Sequence, residues 1–188
     1  MYIKIGYQGV EGSNSEYAAI KISEFNKIKN VHFIPLETSM NVVKALLNKE
    51  IDYGVLAYEN NIAGLVSETI EALSLIKYDK IISYDMPIHH SLFVYNEDIS
   101  SSKITKIASH EQALSQCKNY INNNFPNITL IKDTDTAISA QRLKDGFFDL
   151  NTAIICKREA GEKRNLYLLA NNIEDRKSIT NFILIKKI

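Results

Sequence analysis

Residues 53–69 read YGVLAYENNIAGLVSET. The run from Tyr53 to Tyr58 suits a buried strand, yet it stops at Glu59, Asn60 and Asn61 before reaching Gly64 and a helix that opens at Ser67. A buried strand that ends on a carboxylate and two amides is characteristic of the carboxyl edge of a parallel sheet. There, strand ends and helix starts face one crevice, and ligands bind in it. Gly64 is expected to let the chain pass closely before Ser67 opens the helix that follows.

Working outward, short β-branched runs alternate with helical periodicity along the whole chain, which argues for an α/β fold with mostly parallel sheets. Strands are predicted near residues 2–7, 31–35, 53–58, 80–83, 90–95, 106–109, 128–131, 152–156, 166–169 and 182–187. Helical stripes are predicted through Ala18, Ile22 and Phe25; Val42, Val43, Leu46 and Leu47; Ala113, Leu114, Cys117, Tyr120 and Ile121; and Ala137, Ala140 and Leu143. Each stripe is expected to face a sheet. NEDISSSK at 96–103 is the best internal break, after which the alternation restarts, so two βαβ lobes follow. Polar loops recur at strand ends: GVEGSNSE (9–16), LETS (36–39), YENN (58–61), ASHEQ (108–112) and KDTDT (132–136). Ser13 with Glu16 and Ser109 with Gln112 have capping-box spacing, and the same helix starts could hold carboxylates.

At 188 residues, with 22 Lys plus Arg against 22 Asp plus Glu, the chain can bury a core but presents no basic field for nucleic acid or an anionic membrane. Any anionic ligand has to be met locally. The amino terminus, MYIKIGY, alternates like a strand and is not a signal peptide, and a soluble cytoplasmic protein is expected. Cys117 and Cys156 lie in apolar contexts without metal-ligand spacing and read as buried free thiols. His32, His89 and His90 read as structural or exposed, while His110 sits inside a polar loop. No P-loop, dinucleotide fingerprint, zinc motif or nucleophile elbow occurs.

Five segments, in order, carry a family resemblance. KEIDYGVLAYENNIAGLVSETIEAL (49–73) is similar to the prephenate dehydratase stretch that ends in Pro-x-Glu-Asn-Ser and a glycine. IASHEQALSQC (107–117) resembles the family's Ser-His-x-Gln-Ala-x-x-Gln-Cys, with Ser109, His110, Gln112, Gln116 and Cys117 in place. YQGVEGSNSEYAA (7–19) matches the opening glycine-rich segment at Gly9, Gly12, Ser15 and Glu16. DTDTAISA (133–140) matches a Ser-Thr-Ala stretch through Thr136 and Ala137, and NNIEDRKSITNF (171–182) matches the closing signature through Asn172, Ile173, Asp175, Thr180 and Phe182.

The resemblance implies a fold like type 2 periplasmic binding proteins, with lobe 1 at 1–88 plus 178–188, lobe 2 at 89–177, and an active site in the interlobe cleft. It implies a lyase of phenylalanine biosynthesis that converts the dianion prephenate to phenylpyruvate with loss of carbon dioxide and water, without metal or organic cofactor. Thr180 matches the proton donor to the leaving hydroxyl, and Glu59 is expected beside it as a catalytic or lobe-closing residue. Substrate contacts carried over from the family pattern are Ser13, Asn14, Asn60, Asn61, Ser109, His110, Gln116, Thr136 and Asn181. Several of these depart from that pattern: Ser13 stands for threonine, Asn14 for phenylalanine, Asn61 for serine, Ala57 for proline, and Asn181 for the arginine of Thr-Arg-Phe. Ser178 occupies the place of a usual asparagine, and the spacing from Asn172 to Thr180 is one residue short. Only six residues follow Phe182, so the likeness is to the catalytic domain without a C-terminal regulatory ACT domain, and no phenylalanine inhibition through such a domain is expected. A homodimer is the family habit. Two other readings stay open: a relative that decarboxylates prephenate without aromatising it, and a non-catalytic protein that closes on a small carboxylate.

Overall fold

Period-two alternation in IKIGY sends Ile5 and Tyr7 to one face of the first strand, where both are buried. The computed structural model describes residues 2–188 and divides into two compact units, one running up to Ile88 and joined by Ser178–Ile188, the other His89–Lys177.

The first unit contains β1 (Ile3–Tyr7), α1 (Asn14–Phe25), β2 (Val31–Pro35), α2 (Ser39–Leu47), β3 (Tyr53–Asn60), β4 (Gly64–Leu65), α3 (Ser67–Leu73) and β5 (Tyr78–Ile88). The last strand of the chain, β11 (Ser178–Lys187), returns to it. Its sheet runs β2-β1-β3-β11-β5, with β4 paired to β3. The first three strands are parallel and β11 is antiparallel to both neighbours. Both faces are buried, which is why β3 is apolar on both sides. Val55, Phe182 and Leu184 pack under α1 with Ala18, Ala19 and Ile22, while Leu56, Ile183 and Ile185 pack under α2 and α3.

The second unit contains β6 (Ser91–Val94), β7 (Lys106–His110), α4 (Glu111–Gln116), α5 (Lys118–Asn124), β8 (Thr129–Asp133), α6 (Thr136–Lys144), β9 (Thr152–Cys156), α7 (Arg158–Lys163) and β10 (Tyr167–Ala170). Its sheet runs β10-β6-β9-β7-β8, parallel through β9, β7 and β8 and antiparallel at β6 and β10. Leu92, Ile107, Ile155, Leu114 and Cys117 form its core beneath the fourth and fifth helices. Cys117 and Cys156 are buried and free, and burial pushes both thiols up from their ordinary range. No helix among the described residues is long and apolar enough to cross a membrane.

Several local expectations need correction. Phe25 and Leu47 do not face a sheet: they are 68% and 37% exposed, because each is the last residue of its helix. The strand predicted at 80–83 extends over Tyr78–Ile88, with charged residues tolerated on an outer strand that pairs only with β11. Ser67 opens α3 as expected, while the cap position falls on Val66, which makes no side-chain cap bond. Gly64 has φ +78° and open space where a Cβ would stand, so backbone conformation and not close passage calls for glycine.

Candidate functional site

In the first unit, the polar residues gather where β1 and β3 end and where β11 begins. Ser13 is the N-cap of α1 and its Oγ accepts from Glu16 N at 3.3 Å. Glu16 does not complete a capping box on Ser13: its carboxylate accepts from Gly12 N at 2.6 Å and from the Tyr7 hydroxyl at 3.3 Å. Burial first, then the negative charge of Glu16 and the hydrogen bond to it, push the Tyr7 phenol up from its ordinary range. Asn14 follows as the first residue of the helix, half-buried.

Asn60 is the hub of this edge. Its Oδ1 accepts from Ile62 N at 3.0 Å and Ala63 N at 3.1 Å, bracing the turn into β4. Backbone N–H groups can only donate, so they fix which end of the amide is oxygen. The Nδ2 end then donates to Ser178 Oγ and Thr180 Oγ1, each at 2.9 Å, with Ile179 O farther off at 3.3 Å. Thr180 is 9% exposed, and its own proton is committed to no acceptor among the described residues. Asn61 joins the same hairpin from outside, exchanging bonds with Ile179: its backbone N donates to Ile179 O at 3.0 Å and its Oδ1 accepts from Ile179 N at 2.7 Å.

Strand register separates the remaining two residues. Thr180 lies opposite Asn60 and Asn181 opposite Glu59. Directly opposed residues share a face and successive ones alternate. Asn60 and Thr180 therefore occupy one face, and Glu59 and Asn181 the other. Asn181 turns to β5, where Nδ2 donates to Asp85 Oδ1 at 2.7 Å and Ser83 Oγ at 2.8 Å. A longer side chain at 181 would likewise start from the face of Glu59, away from the threonine.

In the second unit, the corresponding edge is differently arranged. Ser109 ends β7 fully buried and donates to Ile155 O at 2.6 Å, stitching β7 to β9. The expected capping box at Ser109 is thus not formed; the N-cap is His110, whose Nδ1 accepts from Gln112 N at 3.2 Å. Gln116 is half-buried, with Oε1 2.7 Å from His90 Nε2, so the imidazole donates there. His90 is 5% exposed, and burial lowers its pKa from the ordinary 6.5 despite the hydrogen bond it donates to Gln116. Glu174 accepts from His90 N at 3.0 Å and pairs with His89 Nδ1 at 2.7 Å. Thr136 opens α6 beside Asp135, which caps it through Ala137 N and Ile138 N, and Asp133 pairs with Arg142. Among the described residues no three His, Cys, Asp or Glu side chains are grouped as a metal ion would require. The sequence marks His90 only as structural or exposed and Ser178 only as a departure from the closing signature; their partners, 26 and 118 positions away, are set by the fold.

Comparisons with known proteins agree with this arrangement of segments. A family model for prephenate dehydratase matches residues 5–188. A bifunctional chorismate mutase/prephenate dehydratase of Stutzerimonas stutzeri is 30% identical over 186 residues, covering 97% of this chain and 48% of the relative. A prephenate dehydratase of Methanocaldococcus jannaschii is 37% identical over 136 residues, covering 71% of this chain and 47% of the relative. The chain thus spans about half the length of these relatives. Among solved structures, a prephenate dehydratase from Arthrobacter aurescens in complex with L-Phe superposes with a TM-score of 0.86 at 25% identity, covering 99% of this chain and 60% of that one.

Proposed function

Because this chain belongs to the prephenate dehydratase family, whose model it matches over residues 5–188, we propose that it is a lyase that converts prephenate to phenylpyruvate in phenylalanine biosynthesis. The observation that carries this reading is the Asn60 amide held against Thr180. An N–H donated to Oγ1 occupies a lone pair and stabilises negative charge developing on that oxygen, which makes the alcohol a better acid. The threonine proton is then available to the hydroxyl that departs as water. Loss of carbon dioxide supplies the electron pair that expels this hydroxyl, and the ring becomes aromatic. Orientation of the dianion is the remaining requirement.

Within the reading, Thr180 is the catalytic acid and Asn60 with Ser178 position it. Ser13, Asn14, Asn61, His110 and Thr136 are assigned to substrate contacts. Ser109 and Gln116 are assigned to shaping the second unit's edge, because their side chains already have partners there. Glu59 and Asn181 are assigned a supporting role on the opposite sheet face, with Asn181 bound to β5. The two units are read as the two lobes of the catalytic domain, in a cytoplasmic enzyme that pairs as a homodimer. The names of its relatives favour dehydration over decarboxylation without aromatisation. Incubation with prephenate tests the proposal: phenylpyruvate, seen by its enol absorbance in alkali, is expected. A non-aromatic decarboxylated product, or intact prephenate, would replace the reading.

A further inference from the structure

None of the residues matched to the site is a lysine or arginine, although the substrate of the proposed reaction carries two carboxylates, and the arginine of the family pattern is Asn181. A dianion stripped of water needs fixed positive charge or several donors. Among the cations beside the ends of β8 and β9 are Lys132, Arg142 and Lys157. Lys132 is 68% exposed and paired with Glu111 at 2.5 Å, and Arg142 is paired with Asp133. Lys157 differs in its burial. It directly follows β9, its side chain is only 13% exposed, and it pairs with Glu159 at 3.7 Å.

Helix stability does not account for Lys157. It stands at the N-cap of α7, makes no side-chain cap bond, and sets a positive charge where a helix favours a negative one. A lysine held largely out of water, against local preference, needs another reason. Its neighbours supply one. Cys156 pairs with Ser91, so Lys157 lies level with His90 and its bonded Gln116 on one side; on the other, Ser109 and His110 end β7.

We propose that Lys157 is a substrate-binding residue that anchors one carboxylate of prephenate at this edge. The proposal rests on the reading of the chain as a prephenate-binding protein, and it is tested by binding as well as turnover. Calorimetric titration of prephenate into the wild type, Lys157→Met, Lys157→Arg and Lys132→Gln gives four dissociation constants, with thermal melts to verify folding. Lys157→Met should weaken binding about 10- to 100-fold, as expected for loss of a charge-assisted hydrogen bond. KM should rise more than kcat falls, Lys157→Arg should recover most of the loss, and Lys132→Gln should bind within about twofold of the wild type. Unchanged binding by Lys157→Met, an arginine variant as weak as the methionine one, or an equal loss in Lys132→Gln would each overturn the assignment. Should the wild type bind prephenate in a Lys157-dependent way yet release no phenylpyruvate, the dehydratase reading falls and the anchor stands. Absence of binding to the wild type overturns both.

Discussion

The two units share a plan, a parallel three-stranded core extended by antiparallel strands, but they commit the polar residues at their carboxyl edges differently. In the first, Asn60 gathers two hydroxyls and leaves the Thr180 proton unassigned. In the second, Ser109 and Gln116 are closed off by Ile155 O and His90. Similar residue types at similar topological positions thus leave a hydroxyl proton available in one unit and are committed to scaffolding in the other. What distinguishes them is where the hydrogen points, which follows from partners contributed by distant strands.

The sharpest way to break this comparison is to remove the available proton. Thr180→Ala should lower kcat by about 10²- to 10⁴-fold, the usual worth of general acid catalysis, with a melting temperature close to that of the wild type. A rate within a few-fold of normal would take Thr180 out of the mechanism. Next comes Asn60→Asp. Aspartate can still accept from Ile62 N and Ala63 N, but it accepts from the Thr180 hydroxyl where asparagine donates to it, reversing that hydrogen bond. A kcat loss of about 10- to 100-fold with the turn intact by circular dichroism is expected, whereas Asn60→Ala should also destabilise by about 2–4 kcal/mol through unsatisfied buried groups. If the aspartate variant keeps full activity, the direction of the bond is irrelevant.

In the second unit, Gly161→Ala would press a methyl to 2.5–2.6 Å from the ring atoms of Phe93, which is fully buried. Overpacking should cost about 1–3 kcal/mol in denaturant melts with little change in turnover per folded molecule. The smallest effect is pH dependence at His90. Its pKa is lowered on folding, so between that value and the ordinary 6.5 the unfolded chain holds a proton the folded chain does not. Stability therefore rises with pH through that window and is lost as pH falls below about 6.5. A fall in stability on going from neutral to mildly acidic solution, flattened in His90→Gln, is the expected result. An unchanged slope in that variant would assign the loss to Glu174 or other carboxylates.

Much of this architecture is legible without coordinates. The runs at 31–35 and 152–156 match β2 and β9, because β-branched residues between turn signals leave few alternatives. Ser13 caps α1 as its spacing predicts. Ser109 fails by the same reasoning, because a shift of one residue in where the helix starts hands the cap to His110 and turns the hydroxyl into the sheet. The placement of Glu59 and Thr180 on opposite faces is set by pairing between strands about 120 residues apart, and no local pattern encodes it. Lys157 is hidden for a related reason: periodicity marks apolar burial and is silent about a buried cation.

The position of β11 has a consequence for how the protein is made. The strand lies between β3 and β5, yet the chain builds the entire second unit before reaching it. Until β11 leaves the ribosome, β3 and β5 each have an unpaired edge, and Asn60 lacks the two hydroxyls it holds. Sheet closure and completion of the Asn60 cluster are thus one late event with high sequence separation, which favours slow folding and exposes sticky edges to other chains meanwhile. A polypeptide cut short of β11 would therefore be aggregation-prone and lack the contact between Asn60 and Thr180, so that translation itself decides when this edge can form.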